Sequence, residues 1–281
     1  MTKPAIAVIT GTTHGIGMVT SRELAQAGYT VVMLCRNVAA ASALAGDIRQ
    51  RTPGSRVEVV HCDLADLSSV RTAAREVLER FAPIDRLINN AGMVSTRQRR
   101  SVDGYELTFA TNHLGPFLLT RLLLPALTAQ ARIINVSSKV HYRGQMDLDS
   151  VADPRARYSS VAAYSRSKLA NVLDTLALAR QLTGSGISVN CLHPGVVATN
   201  LLPGWLNLIR PLFKRLILSA EQGARTSLYL ALAPEAGALQ GQYLDEYQQV
   251  QPAAPAAREL PLQQLLLTRS ARWTGLDQAS A

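Results

Sequence analysis

The strongest constraint on this chain is an alternation of short apolar runs with helix-period segments, repeated from its first residues to about Leu244. Ala5 to Thr10, Thr30 to Cys35, Val57 to His61, Asp85 to Ile88, Arg132 to Val136, Ile187 to Cys191 and Gly241 to Leu244 read as strands bounded by turn residues. Helical patterns lie between them: through Gln26, over Val38 to Gln50, Asp66 to Phe81, roughly Gly104 to Gln130, Val161 to Leu182, and Glu221 to Ala233. Strands that are apolar throughout must be covered on both faces, so the alternation predicts an α/β fold with a doubly wound sheet. About seven parallel strands are expected, flanked by helices. The 281 residues fit a single large domain, since no low-complexity linker or solenoid repeat divides them.

The loops at the strand ends carry the chemistry. Thr10-Gly-Thr-Thr-His-Gly-Ile-Gly17 joins the first strand to the first helix. Glycines at 11, 15 and 17 permit tight turning and close backbone approach, and the helix N-terminus offers free N–H groups to a pyrophosphate. This is the setting of a Rossmann-type dinucleotide site. The second strand ends in Arg36-Asn37, where a NAD-selective site would place an acid for the ribose hydroxyls. Arg36 instead offers a planar donor fork to a 2′-phosphate, so NADP(H) is preferred over NAD(H), unless the side chain simply faces solvent. His14 could add a donor or serve only the loop. Asp63 could accept from an adenine amino group or feed the N-cap of the next helix. Asn89-Asn-Ala-Gly92 ends the fourth strand with small residues that let backbone approach the cleft contents.

Tyr164 and Lys168 stand four apart in a helical segment, on one face, so both can point into one cleft. A tyrosine ionises near pH 10, and an adjacent cation favours the phenolate. The pair is then either a usable proton donor and acceptor or a solvated helix face. Ser137 and Ser138 place hydroxyls at the carboxyl end of the fifth strand, the edge where open parallel sheets bind ligands. Asn112 lies inside a helical pattern, where asparagine is mildly unfavourable and more often faces water. Past the sixth strand, His193-Pro-Gly-Val-Val-Ala-Thr199 forms a turn whose later amides could face a ring carboxamide.

Composition removes other classes. The net charge of +9 suits an anionic partner or a basic surface, but Arg97, Arg99 and Arg100 have no interleaved aromatics, so nucleic acid is not expected. Cys35, Cys62 and Cys191 sit far apart in apolar runs, as buried thiols do in a reducing compartment, and no spacing joins them to the histidines as metal ligands. No signal peptide fits before Ala5, and Leu201 to Ala220 is interrupted by Pro203, Arg210, Pro211, Lys214 and Arg215, so a cytoplasmic protein is expected.

Taken together, Thr10-Gly-x3-Gly-x-Gly17, Asn89-Asn-Ala-Gly92, Asn112, Ser138, Tyr164-x3-Lys168 and Pro194-Gly195 resemble the short-chain dehydrogenase/reductase family over nearly the whole chain. Thr111 to Thr120, Asn135 to Ser138, Ser167 to Val172 and His193 to Val197 are similar to its retinol dehydrogenase-like branch. The resemblance implies hydride transfer between a nicotinamide and an alcohol or carbonyl carbon, with reduction the expected direction if NADPH is used. Tyr164 would be the general acid/base and Lys168 would lower its pKa and bond the nicotinamide ribose. Ser138 would hold the substrate oxygen, with Ser137 the other choice, and Asn112 would help connect Lys168 to solvent. Gly11, Gly15, Ile16 and Gly17 would cradle phosphates, Arg36 the 2′-phosphate, Asp63 and Leu64 the adenine, and Asn90 the ribose side. Pro194 and Gly195 shape the nicotinamide turn, and Val197 and Thr199 would meet the carboxamide.

A substrate lid is expected at about 200–220, with Trp205, Leu206, Ile209, Leu212, Phe213 and Leu216 on its apolar face; helix packing or membrane contact are the other readings of that face. The lid reading points to a small, bulky, apolar carbonyl or alcohol substrate, and the family implies a homodimer or homotetramer. Two features depart from the retinoid pattern: Pro116 threatens the placement of Asn112, and the chain starts at its first strand without an anchor, so a retinoid is not implied. The Pro/Ala-rich Gln251 to Ala257 reads as an exposed connector opening a C-terminal extension over about 250–281, a short helix and a basic tail with Trp273. A non-catalytic NADP-binding regulator is the rival function, since a fold does not fix an activity.

Overall fold

A computed structural model describes residues 4–197 and 218–277. Eight strands form one sheet in the order β3-β2-β1-β4-β5-β6-β7-β8. They are β1 (Ile6–Thr10), β2 (Thr30–Cys35), β3 (Arg56–His61), β4 (Ile84–Asn89), β5 (Leu127–Val136), β6 (Ser188–Leu192), β7 (Tyr243–Leu244) and β8 (Val250–Gln251). Pairing is parallel from β3 through β7 and antiparallel for β7 with β8.

Every residue of β1 and β2 is buried because helices cover both faces. Alternate side chains serve the two layers. Ile6, Val8, Val32 and Leu34 pack with α3 (Leu67–Phe81) and α5 (Gly115–Leu123), while Ala7, Ile9, Val31 and Met33 pack with α1 (Gly15–Gln26), α2 (Val38–Arg51) and α8 (Ala220–Leu232). Helix α3 buries Val70, Ala73, Ala74, Val77 and Phe81, a three-and-four spacing that makes one apolar stripe. Asp66, expected as its first residue, is its N-cap and accepts from the Ser68 and Ser69 N–H groups.

Two expectations are corrected. The helix expected over 104–130 is divided into α4 (Leu107–Phe109), a π turn (Ala110–Leu114), α5 and a 3-10 turn (Leu124–Ala126), and β5 begins at Leu127 rather than Arg132. Prolines explain both breaks. Pro116 has no N–H for the Asn112 carbonyl four residues back, and the Gly115 N–H reaches five back, to Ala110; Pro125 lies in the 3-10 turn. The second correction concerns the stretch read as an exposed connector, where β8 starts at Val250 and Ala253, Ala254 and Ala257 are buried. Their small side chains let backbone lie against α7 (Ser160–Gln181), and the Tyr142 hydroxyl donates to the Pro252 carbonyl at 2.5 Å. The chain then enters α9 (Leu260–Thr274), whose Trp273 packs against the Tyr105 and Phe109 rings. A short α6 (Asp149–Ala152) precedes α7.

Candidate active site

Strand order reverses between β1 and β4, and ligands of such sheets bind at the crevice outside that reversal. A cleft of about 280 Å³ opens there. On its floor, Gly11 and Gly15 adopt φ of +71° and +60°, in the left-handed region that favours glycine. A Cβ on Gly17 would lie 2.2 Å from the Gly11 carbonyl oxygen and 2.4 Å from Asn90 Nδ2. The glycine loop is therefore seated directly on the end of β4. Asn90 Nδ2 donates to the Thr10 and Gly11 carbonyls at 2.9 and 3.0 Å, and Thr10 Oγ1 accepts from the Asn90 and Ala91 N–H groups. Asn90 thus holds the loop in shape, and its amide nitrogen is committed there rather than to a ribose.

Helix α1 begins in this loop with no side-chain N-cap and no acid in its first turn. Gly15, Ile16 and Gly17 line the cleft there, so the positive end of the helix faces it. Arg36 and Asn37 form the far wall. Asn37 caps α2 by accepting from the Ala40 N–H, whereas the exposed Arg36 side chain has no hydrogen bond or ion pair among the described residues. Asp63 Oδ1 accepts from the Ala65 N–H at 3.0 Å, organising the turn into α3, and the residue also lines the cleft beside Leu64. These features fit a dinucleotide: an uncapped helix terminus, a cradle that a Cβ would fill, and an unpaired guanidinium at its end. His14, also in the wall, shares a hydrogen between its Nδ1 and Thr13 Oγ1. Pro194 lines the cleft; Gly195, at φ +82°, and Val197, bridged to Leu218, stand outside its wall. Thr199 and nearly all of the expected lid lie outside the described residues.

At the other end of the cleft, α7 brings Tyr164 and Lys168 to the same wall, as their spacing requires. Lys168 is 3% exposed, and its Nζ donates to the Val136 carbonyl at 2.8 Å and lies 5.6 Å from the centre of the Tyr164 ring. Burial pulls its pKa down to about 8. The phenol moves the other way. Burial raises the Tyr164 pKa above its usual 10, and the opposing influence is a hydrogen bond with the Ser138 side chain. The Lys168 ammonium, meanwhile, is turned to a backbone carbonyl.

The two serines are separated by geometry. Ser137 Oγ donates to the Lys168 carbonyl at 2.8 Å and is buried, so it fastens β5 to α7. Ser138 is the one beside the phenol. Asn112 stays in place despite Pro116: the π turn points its fully buried amide at Met93, whose N–H donates to Oδ1 at 2.8 Å and whose carbonyl accepts from Nδ2 at 2.9 Å. Nδ2 also donates to Ser167 Oγ, which donates to the Tyr164 carbonyl. A Cβ on Gly92 would come within 3.3 Å of Lys168 Nζ and 3.8 Å of Asn112 Oδ1, so glycine lets this strand end lie between them.

Some contributors went unread in the sequence. Ser167, inside the Tyr-x3-Lys segment, links Asn112 to α7. Glu106 is buried and caps α4 with both oxygens, on the Thr108 and Phe109 N–H groups, a place more often taken by Ser, Thr, Asp or Asn and so not signalled by the sequence. Cys35 and Cys62 line the cleft as buried free thiols, with pKa values pushed up to about 11 and about 12 by burial.

The short-chain dehydrogenase family pattern matches residues 5–206. Human retinol dehydrogenase 13 is 41% identical over 97% of this chain and 85% of its own length. Among solved structures, an uncharacterized protein of Mycobacterium paratuberculosis superposes with a TM-score of 0.78 at 36% identity, covering 97% of this chain and 95% of that one. The NADPH complex of a blue fluorescent protein from a metagenomic library superposes with a TM-score of 0.70 at 27% identity, covering 86% and 95%. The chain belongs to the short-chain dehydrogenase family, in its retinol dehydrogenase-like branch, and is an oxidoreductase acting on CH–OH groups. Among the described residues no helix is long and apolar enough to cross a membrane.

Proposed function

We propose that this oxidoreductase uses NADP(H) to interconvert a bulky apolar alcohol with its aldehyde or ketone, reduction being the favoured direction. The observation that carries the reading is the convergence of Tyr164 and buried Lys168, with Ser138 beside the phenol, at one end of a cleft whose other end is an uncapped helix N-terminus and Arg36, which has no partner among the described residues. A bound nicotinamide would supply or accept the hydride at the carbonyl carbon. Gly15, Ile16 and Gly17 would meet its phosphates and Arg36 its 2′-phosphate. The metagenomic neighbour's NADPH supports that assignment.

The chain's own residues do the remaining work. Tyr164 holds the proton that reaches the substrate oxygen, and Ser138, hydrogen-bonded to that phenol, fixes the oxygen in line with it. Lys168 keeps a charge close to the phenol without being free to leave, since Val136 holds it. Asn112 ties the strand end at Met93 to α7 and so sets the cleft width.

The test follows NADPH absorbance with decanal, cyclohexanone and all-trans-retinal, the last because a curated relative is a retinol dehydrogenase. Tyr164→Phe should remove turnover of any substrate found while retaining NADPH binding. Equal turnover by the variant, or none from the wild type across the panel, would sink the reading.

A further inference from the structure

We infer that His141 is a positioning residue for Ser138, and that through it the buried C-terminal segment around Ala254 forms part of the active-site scaffold. The inference rests on the role proposed above for Ser138.

Hydrogen-bond partners settle the state of this imidazole. The Ala254 N–H can only donate, and it lies 3.2 Å from His141 Nε2, so Nε2 is the acceptor. The Ser138 carbonyl can only accept, and it lies 2.8 Å from Nδ1, so Nδ1 carries the proton. The ring is neutral, in one tautomer. It is fully buried, and burial holds its pKa below the usual value. The Tyr142 and Tyr243 rings lie 4.1 and 4.6 Å from it, centre to centre, which fixes its plane.

The consequence falls on Ser138. Its carbonyl accepts twice from one residue, from the His141 backbone N–H at 3.0 Å and from the ring at 2.8 Å. Its peptide is therefore clamped on one side while its hydroxyl meets the phenol on the other. A hydroxyl that must sit within hydrogen-bond reach of both a phenol and a substrate oxygen tolerates little drift. The residue that secures it, Ala254, is 113 positions further along the chain than His141. Movement at Ala254 therefore reaches Ser138 through the His141 ring.

Two near-isosteric variants separate the bonds. In His141→Asn an amide nitrogen replaces Nδ1 and keeps the donor to Ser138; in His141→Gln the amide reaches the Nε2 position and keeps only the acceptor for Ala254. With NADPH and whichever of the three carbonyl compounds is turned over, His141→Gln should lower kcat about ten-fold or more while the KM for NADPH stays unchanged, and His141→Asn should retain most of kcat. In a Ser138→Ala background His141→Gln should cost nothing further, because it acts only through Ser138. In the free wild type, 15N NMR should show His141 as the neutral Nδ1–H tautomer.

Equal losses in the two variants, a further loss on the Ser138→Ala background, or an Nε2–H tautomer would each overturn the inference. Wild-type kcat in His141→Gln beside an impaired Ser138→Ala would overturn it alone and leave the role of Ser138 standing. Full turnover by Ser138→Ala would overturn that role, and this inference with it.

Discussion

Replacing Lys168 with methionine should make the cofactor-free protein more stable while abolishing its turnover. Lys168 is 3% exposed, and among the described residues its ammonium has one bond, to the Val136 carbonyl. A folded-state pKa brought from 10.5 to about 8 by burial means that ionised Lys168 costs the fold about 3 kcal/mol at neutral pH. Methionine keeps an unbranched stem of similar reach and removes the charge. The Val136 carbonyl loses its donor, which costs roughly 1–2 kcal/mol. The net gain is about 1–2 kcal/mol, or a Tm higher by about 2–3 °C. Its pH dependence has a definite sign. Between about pH 8 and 10.5 the folded chain has released the proton that the unfolded chain retains, so wild-type stability rises with pH across that window. The advantage of Lys168→Met is therefore full below about pH 8 and fades as pH approaches 10.5. Urea unfolding at neutral pH and at about pH 10 measures both. A variant less stable than wild type at neutral pH, or an advantage independent of pH, would refute the reasoning.

Arg36→Leu should weaken NADPH binding about ten- to a hundred-fold, the worth of a charge-assisted phosphate contact, with little change for NADH in fluorescence titration. Equal loss for both would remove Arg36 from the 2′-phosphate. Gly17→Ala should abolish NADPH binding and cost about 1–3 kcal/mol in urea unfolding, since the new Cβ meets the Gly11 carbonyl at 2.2 Å. Asp174→Asn should cost about 3 kcal/mol in the same assay, because it strands Arg121, whose Nη2 pairs with Asp174 Oδ1 at 2.5 Å with side chains 15% and 9% exposed. A loss under 1 kcal/mol would mean that water solvates the pair.

What was legible in the sequence depended on how local the cause was. Strands β1 and β2 announced themselves because two covered faces demand an unbroken apolar run, and their helices because one covered face demands a stripe. The Ala253 to Ala257 stretch carried the composition of an exposed loop, yet its alanines are small so that backbone can be buried, a reason visible only once α7 lies beside it. Pro116 was readable as a break but not as a π turn, since the register chosen depends on where Asn112 finds Met93. Within the site, the four-residue spacing correctly sends Tyr164 and Lys168 to one cleft. It carries no information on what the ammonium bonds, and Val136 comes from another strand. Ser137 and Ser138 are equivalent on paper; the Lys168 carbonyl distinguishes them.

The free protein's electrostatics then bear on where the proton rests. Burial acts on both members of the pair by favouring their neutral forms, raising the phenol and lowering the ammonium. With a pKa of about 8, Lys168 is still mostly charged at neutral pH, whereas Tyr164 keeps its proton throughout that range. The opposing interaction on the phenol is the Ser138 hydrogen bond, so the side chain placed to hold a substrate oxygen is also the one that makes Tyr164 a stronger acid. Under the proposed function, the resting site holds its proton on Tyr164, beside the hydroxyl that eases its release.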